Sequence, residues 1–152
     1  MSEHPLNEIQ NIASLKISVH ATELQALCEN YLSTFTSDDF FTFSKTEARS
    51  KRYRSDYYSF VLKLSEISAA MNRAVSELSM LMIEADRKVD LEMIKILQAK
   101  IDAYYKFEAS LSSFSDSTRI EISNTDISPA FLTDATNKLL ASLNSLMKII
   151  CK

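Results

Sequence analysis

Apolar side chains recur along this chain every three or four residues in four separate blocks, the spacing that gathers them onto one face of an α-helix. The first block sets Ile17, His20, Leu24, Leu27 and Tyr31 on one stripe and Ile12, Leu15, Val19 and Ala26 on the stripe beside it. Pro5, whose fixed φ suits a first helical turn, marks the start of a helix predicted over 5–34. The second block is the most regular. Tyr57, Phe60, Leu64, Ile67, Met71, Ala74, Leu78, Leu81 and Ala85 advance by three and four without a miss, flanked by Val61, Val75 and Met82. Sustained over about four heptads, this is the seam of a left-handed bundle or coiled coil. Ser44 and Glu47 stand at capping-box spacing, so the second helix is predicted over 44–86.

Polar residues at 84–88 then throw the seam out of phase. Asp90 is a good N-cap at that point, with Val89 and Ile94 spaced as a hydrophobic staple. The helix predicted over 90–114 carries Ile94, Leu97, Ile101, Tyr104, Phe107, Leu111 and Phe114. Because neither glycine nor proline stands at the break, one bent helix through residue 114 is the alternative, and two chains would then have to exchange helices to bury the seam. Residues 112–127 are polar and serine-rich, which predicts the longest loop, with a short extended stretch at 119–122. Ser128 and Pro129 open a last helix, predicted over 129–151, whose face is Leu132, Ala135, Leu139, Leu143, Leu146 and Ile150.

Four helices with one apolar face each are satisfied by an all-α, antiparallel up-down-up-down four-helix bundle with a long second helix. A length of 152 residues favours a single domain over 1–152. The predicted third and fourth helices span roughly 35 Å, and the second roughly 65 Å. The second must therefore overhang, and its apolar stripe ends just before Tyr53, where Ser50 and Thr46 come next. Its first two or three turns are expected to lie outside the bundle.

Composition sharpens the functional reading. The chain contains no glycine, although average usage of about 7% would supply ten or so. A Walker loop, a dinucleotide G-x-G-x-x-G and a G-x-S-x-G nucleophile turn are thereby excluded. The N-terminal residues are acidic and are not followed by an apolar run, and no stretch has the 18 apolar residues of a membrane span. Two cysteines, Cys28 and Cys151, make no disulfide framework or C-x-x-C motif. A cytoplasmic protein without a membrane span is the expectation. The net charge of −3 is unevenly spread: residues 1–44 carry −5 and residues 45–63 carry +4.

That basic block, Lys45, Arg49, Lys51, Arg52 and Arg54, coincides with the predicted overhang and with eight of the fourteen aromatics. Arginine and aromatic side chains are enriched at the energetic centres of protein interfaces. The candidate partner-binding set is Phe40, Phe41, Phe43, Arg49, Arg52, Tyr53, Arg54, Tyr57 and Tyr58. The competing reading folds the phenylalanines onto the bundle end and leaves Glu47 with Lys51, and Arg52 with Asp56, as ordinary i,i+4 pairs. Nucleic acid fits less well, since phosphate binding draws on a broader basic surface than one short segment.

Catalytic constellations are missing. His20 is read as a seam histidine, eight helical residues and roughly 12 Å from Cys28, too far for a nucleophile pair. Neither His4 nor His20 has a glutamate three residues earlier, so the di-metal bundle motif is absent and no metal or cofactor is expected. Glu66, Glu77, Glu84 and Glu92 all fall off the seam. Met80, Met82 and Met93 read as core filling, and the leucine-rich face of the last helix as bundle core, not a membrane anchor.

The expected function is therefore a non-enzymatic, protein-binding bundle of the immunity or antitoxin type, or of the secretion-chaperone or adaptor type, with a homodimer possible through the second helix. The alternatives are a small-ligand-binding regulatory bundle, with His20, Tyr57 and Tyr104 as polar groups in an apolar cavity, and a nucleic-acid-binding or nucleic-acid-mimicking regulator.

Overall fold

The computed structural model describes residues 5–36 and 46–151. It contains four helices: α1 Pro5–Thr36, α2 Thr46–Arg87, α3 Leu91–Ile122 and α4 Pro129–Ile150. Successive helices run antiparallel, as the cross-helix contacts require. Lys16 meets Glu77 while Tyr31 stacks on Phe60, and Arg54 reaches Ile122 while Phe60 meets Phe114. α1 and α3 lie across the diagonal of the bundle, each flanked by α2 and α4. One apolar cluster drawn from all four helices fills the interior.

The seam of α2 packs as its spacing dictates: every member from Tyr57 to Ala85 is buried, apart from the partly buried Ile67. Tyr53 continues it inward by one more turn. α4 likewise buries Leu132, Leu139, Leu143, Leu146 and Ile150. In α1 the main stripe read from sequence faces the core through Ile17, Leu24 and Tyr31, with Leu27 partly buried, but the neighbouring stripe does not. Leu6, Gln10, Ala13, Ile17, Ala21, Leu24, Cys28, Tyr31 and Phe35 face the core, whereas Ile12, Leu15 and Val19 face solvent and His20 is half-buried at the margin.

The largest departure lies in α3, which continues two turns beyond Phe114 through the residues expected to form a loop. Phe114, Thr118 and Ile122 recur every fourth residue and keep the buried face intact. Thr118 fills an apolar position because its hydroxyl is satisfied twice. It donates to the Phe114 carbonyl at 2.6 Å and, with that proton committed, accepts from the Tyr57 hydroxyl at 2.7 Å. The stretch at 119–122 is thus the last turn of a helix, not an extended segment.

A longer α3 also removes the overhang. The Ser50 hydroxyl accepts from the Ile127 backbone N–H at 3.0 Å, and Arg54 donates to the carbonyls of Ile122 and Asn124 at 3.2 Å each. From Ser50 onward, α2 is thus packed against the α3–α4 connection, whose Ile127 is buried. The capping box at Ser44 and Glu47 falls outside the described residues and side chains.

The break between α2 and α3 is a turn, not a bend in one rod. Asp90 caps α3 by accepting from Met93 N–H at 3.1 Å, and Ser128 caps α4 in the same way through Phe131 N–H. α2 closes with a Schellman pair, Val89 N–H to Asp86 and Asp90 N–H to Ala85. That motif requires a left-handed residue, and without glycine the position falls to Val89, at φ 54°. Its side chain is 71% exposed, so no staple with Ile94 forms, and Ile94 packs against the core instead. A left-handed L-residue costs about 1–2 kcal/mol, more than the roughly 0.5–1 kcal/mol of chain entropy that glycine brings. Val89→Gly should raise stability by up to about 1 kcal/mol, read as a higher urea midpoint at unchanged slope. A drop would mean that Val89 makes contacts its exposure does not show.

Candidate functional site

The helix start that carries the basic and aromatic residues has three kinds of position. Tyr53 and Tyr57 face inward. Tyr53 lies 5.5 Å from the Phe35 ring, and Tyr57 holds Thr118. Burial raises the Tyr57 phenol above its ordinary range, against the opposing pull of the Thr118 hydrogen bond. Arg49 and Arg54 act as struts toward the α3–α4 connection. Arg54 bonds its carbonyls, and Arg49 Nη2 stands 3.9 Å from Asp126 Oδ1 while its buried Nε has no partner. Arg52, 3.9 Å from Asp56, and Tyr58 stand outside. Phe40, Phe41 and Phe43 lie outside the described residues.

Apart from Arg52, which lies about a quarter turn aside, the exposed members fall on one line. Lys51, Ser55, Tyr58 and Leu62 follow at steps of four, three and four, the outer stripe of α2 opposite its seam. Tyr58 is 59% exposed and Leu62 64%, so a large aromatic and a large aliphatic stand one turn apart in solvent, with Lys51 about two turns before Tyr58 on the same line. Leu62 was not among the candidates from sequence. The step of four from Tyr58 is the signal that identifies it.

The three polar groups considered for a ligand cavity do not converge. His20 Nδ1 lies 2.8 Å from Glu23 Oε1, Tyr57 holds Thr118, and Tyr104 donates to Glu108 at 3.4 Å. Burial, with the Glu108 carboxylate beside it, raises the Tyr104 phenol. Under α1 and α2, Tyr31 stacks on Phe60 at 4.2 Å with its hydroxyl buried and unpartnered, and burial raises that phenol too. Two open hollows of about 570 and 710 Å³ run along the outer valley between α3 and α4, meeting at Ser110.

At the other end of the molecule Cys151, which caps the C-terminus of α4, has its Sγ 3.5 Å from Ser18 Oγ of α1. There Lys100, 4% exposed, donates to Gln10 Oε1 at 2.9 Å and Ser14 Oγ at 2.8 Å, and among the described residues no carboxylate pairs with it. Burial lowers its pKa, partly opposed by the nearby Cys151. Sequence reasoning missed Lys100. It occupies a seam position, three residues after Leu97 and four before Tyr104, and a lysine there is read as surface by type.

The two thiols differ sharply. Cys28 is buried, and burial together with Glu29 pushes it up to about 12, whereas Cys151 is exposed. Ten residues of α1 separate Ser18 from Cys28, so the sulfurs stand roughly 15 Å apart along the axis and cannot be bridged. At pH 8 a thiol reagent should label one cysteine of the native protein promptly, and the second only as the bundle opens. Prompt labelling of both would show that the α1 interface opens readily.

No helix among the described residues is long and apolar enough to cross a membrane, and no group of histidine, cysteine, aspartate and glutamate among them could hold a metal ion. No protein-family model matches the chain, and comparisons with curated proteins and with solved structures also return no match.

Proposed function

We propose that this chain is a non-enzymatic protein-binding bundle, of the immunity or antitoxin type or the secretion-chaperone or adaptor type, which docks its partner on the outer stripe of α2. The observation that supports this reading is the exposure of Tyr58 and Leu62 one turn apart, with Lys51 and Arg52 about two turns before Tyr58. Tyrosine and arginine contribute most strongly where a partner excludes water from them, and the basic edge would speed encounter with an acidic surface. Arg49, Tyr53, Arg54 and Tyr57 then serve to hold this part of α2 rigid. Substitutions at Tyr53 or Tyr57 would test the fold, not the surface.

The test places a photo-crosslinking amino acid at position 58 and, as a control, at the exposed Tyr105, and exposes both proteins to lysate of the native host. The expected result is one protein captured from position 58 alone, with capture falling at least about tenfold in an Arg52→Glu, Leu62→Ala background that stays fully helical. Capture of the same protein with equal yield from both positions, or with no loss in that background, would move the surface elsewhere. Capture of nothing would count against a protein-binding role.

A further inference from the structure

One apolar line of the bundle faces solvent. Ile12, Leu15, Val19, Thr22 and Ala26 follow along α1 at steps of three, four, three and four, all exposed, on the side turned away from the core. Ile9 lies beside this line. Met80 of α2 joins it, because Lys16 meets Glu77 across the antiparallel pair, which sets Ile12 and Met80 one turn further on and level with each other. Ile9, Ile12, Leu15, Val19 and Met80 are between 46% and 71% exposed, so together they leave apolar surface on the order of 500 Å² to be covered. Single exposed apolar residues need no explanation, but a contiguous patch of that size marks an interaction site.

The residue types on the line point to its occupant. In the heptad that the spacing defines, Ile12 and Val19 stand at successive a positions with Leu15 at the d position between them. β-Branched residues at a around a leucine at d are the combination that favours two parallel helices. In a parallel pair of identical helices, each g side chain meets the e side chain five residues on in the other copy. Here those pairs are Asn11 with Lys16, Ser18 with Glu23 and Gln25 with Asn30, so no charge meets its like along the flanks. Glu8 and Glu29 take the next d positions on either side, where each would face its own copy, and they confine the contact to the fifteen residues from Ile12 to Ala26.

We infer that a second copy of this chain covers the α1 line, the two α1 helices pairing in parallel as a short two-stranded coiled coil. Two patches of this size, with the polar flanks beside them, reach the roughly 1,200 Å² at which specific interfaces begin. Each α1 is already held by its own bundle, so the pairing need not offset the entropy of ordering a free helix, and about two heptads suffice. Ile12 to Val19 lie toward the opposite end of the bundle from Tyr58 and Leu62, since Phe60 is level with Tyr31. The pairing therefore stands independently of the protein-binding reading.

Sedimentation of the purified full chain is the test. A reversible dimer is expected at micromolar concentration, with its dissociation constant raised at least about tenfold in Leu15→Glu, Val19→Glu, a change at two exposed positions that should keep the chain fully helical. In Leu15→Cys, Cys151→Ser, mild oxidation should link two chains, because the side chains of one d layer in a parallel pair lie within disulfide reach. Leu62→Cys, Cys151→Ser should give no linked chains under the same oxidation. A wild-type chain that sediments as a monomer throughout overturns the inference. So does a dimer that persists in Leu15→Glu, Val19→Glu, or one weakened instead by Arg52→Glu, Leu62→Ala, which would assign the contact to α2. Failure of the Leu15→Cys chain to link, in a dimer that the glutamates do weaken, would overturn the parallel pairing.

Discussion

Phe60→Ala should destabilise the bundle by about 3–5 kcal/mol, the range for removing a buried phenylalanine ring. Phe60 sits where three helices meet. It stacks on Tyr31 of α1 at 4.2 Å and 6° between ring planes, and meets Phe114 of α3 edge-on at 5.9 Å and 77°. Such aromatic pairs contribute beyond the area they bury, and alanine would forfeit both while leaving a ring-sized void. Tyr31 would also lose the surface that holds its unpartnered hydroxyl in place. Urea unfolding is the measurement, with Tyr58→Ala as the control two residues earlier on the same helix. Because Tyr58 lies on the exposed face, its replacement should change stability by no more than about 0.5 kcal/mol. A loss below about 1 kcal/mol for Phe60→Ala would show that the aromatic junction is not the keystone of this end.

Much of this architecture is legible in the order of residues, because α2, α3 and α4 each carry one long, regular apolar seam that outweighs their scattered exposed apolar residues. The seam of α2 reads directly, as do Asp90 and Ser128 as caps and the face of α4. α1 is different: it carries apolar residues on two faces, and periodicity alone cannot choose between them. The choice is made by polar residues that find partners inside, Gln10 and Ser14 with Lys100, which turns Ile12, Leu15 and Val19 outward. The end of α3 was hidden by composition, since serines at 112, 113, 115 and 117 favour a loop reading. A single hydroxyl pair between Tyr57 and Thr118 keeps the seam continuous there, and no one-chain pattern displays it.

The same misreading displaced the candidate site. With α3 taken to end at Phe114, the first turns of α2 had nothing to pack against, and every arginine and tyrosine there counted as available. The longer helix brings Ile122, Asn124 and Ile127 up beside them and draws Ser50, Tyr53, Arg54 and Tyr57 into structural contacts. What the surface retains is narrower and better ordered, an outer line from Lys51 to Leu62 on a helix fixed by its opposite face.

Lys100→Met should raise stability at neutral pH by about 1–3 kcal/mol, because an ammonium group held by two neutral acceptors regains only part of its lost hydration. Methionine keeps the length of the chain and fills the same channel between α1 and α3. Nothing is orphaned by the change: Ser14 already donates to Gln10 Oε1 at 3.1 Å, and the Gln10 amide donates to Asn7 and Asn11. The pH dependence identifies the cause. Burial lowers the folded-state pKa of Lys100 below the ordinary 10.5, so the folded protein releases this proton before the unfolded chain does. Between the lowered value and 10.5 the unfolded state binds more protons, and wild-type stability therefore gains on the variant as pH rises through that window. Below the window both states are charged and the wild type bears the full penalty. Urea midpoints for wild type and Lys100→Met, taken at pH 7 and at steps toward pH 10, should thus converge from a gap that favours methionine. A less stable methionine variant would show that Gln10 and Ser14 hold the ammonium more strongly than burial opposes it, and that this junction of α1 and α3 is organised around the charge.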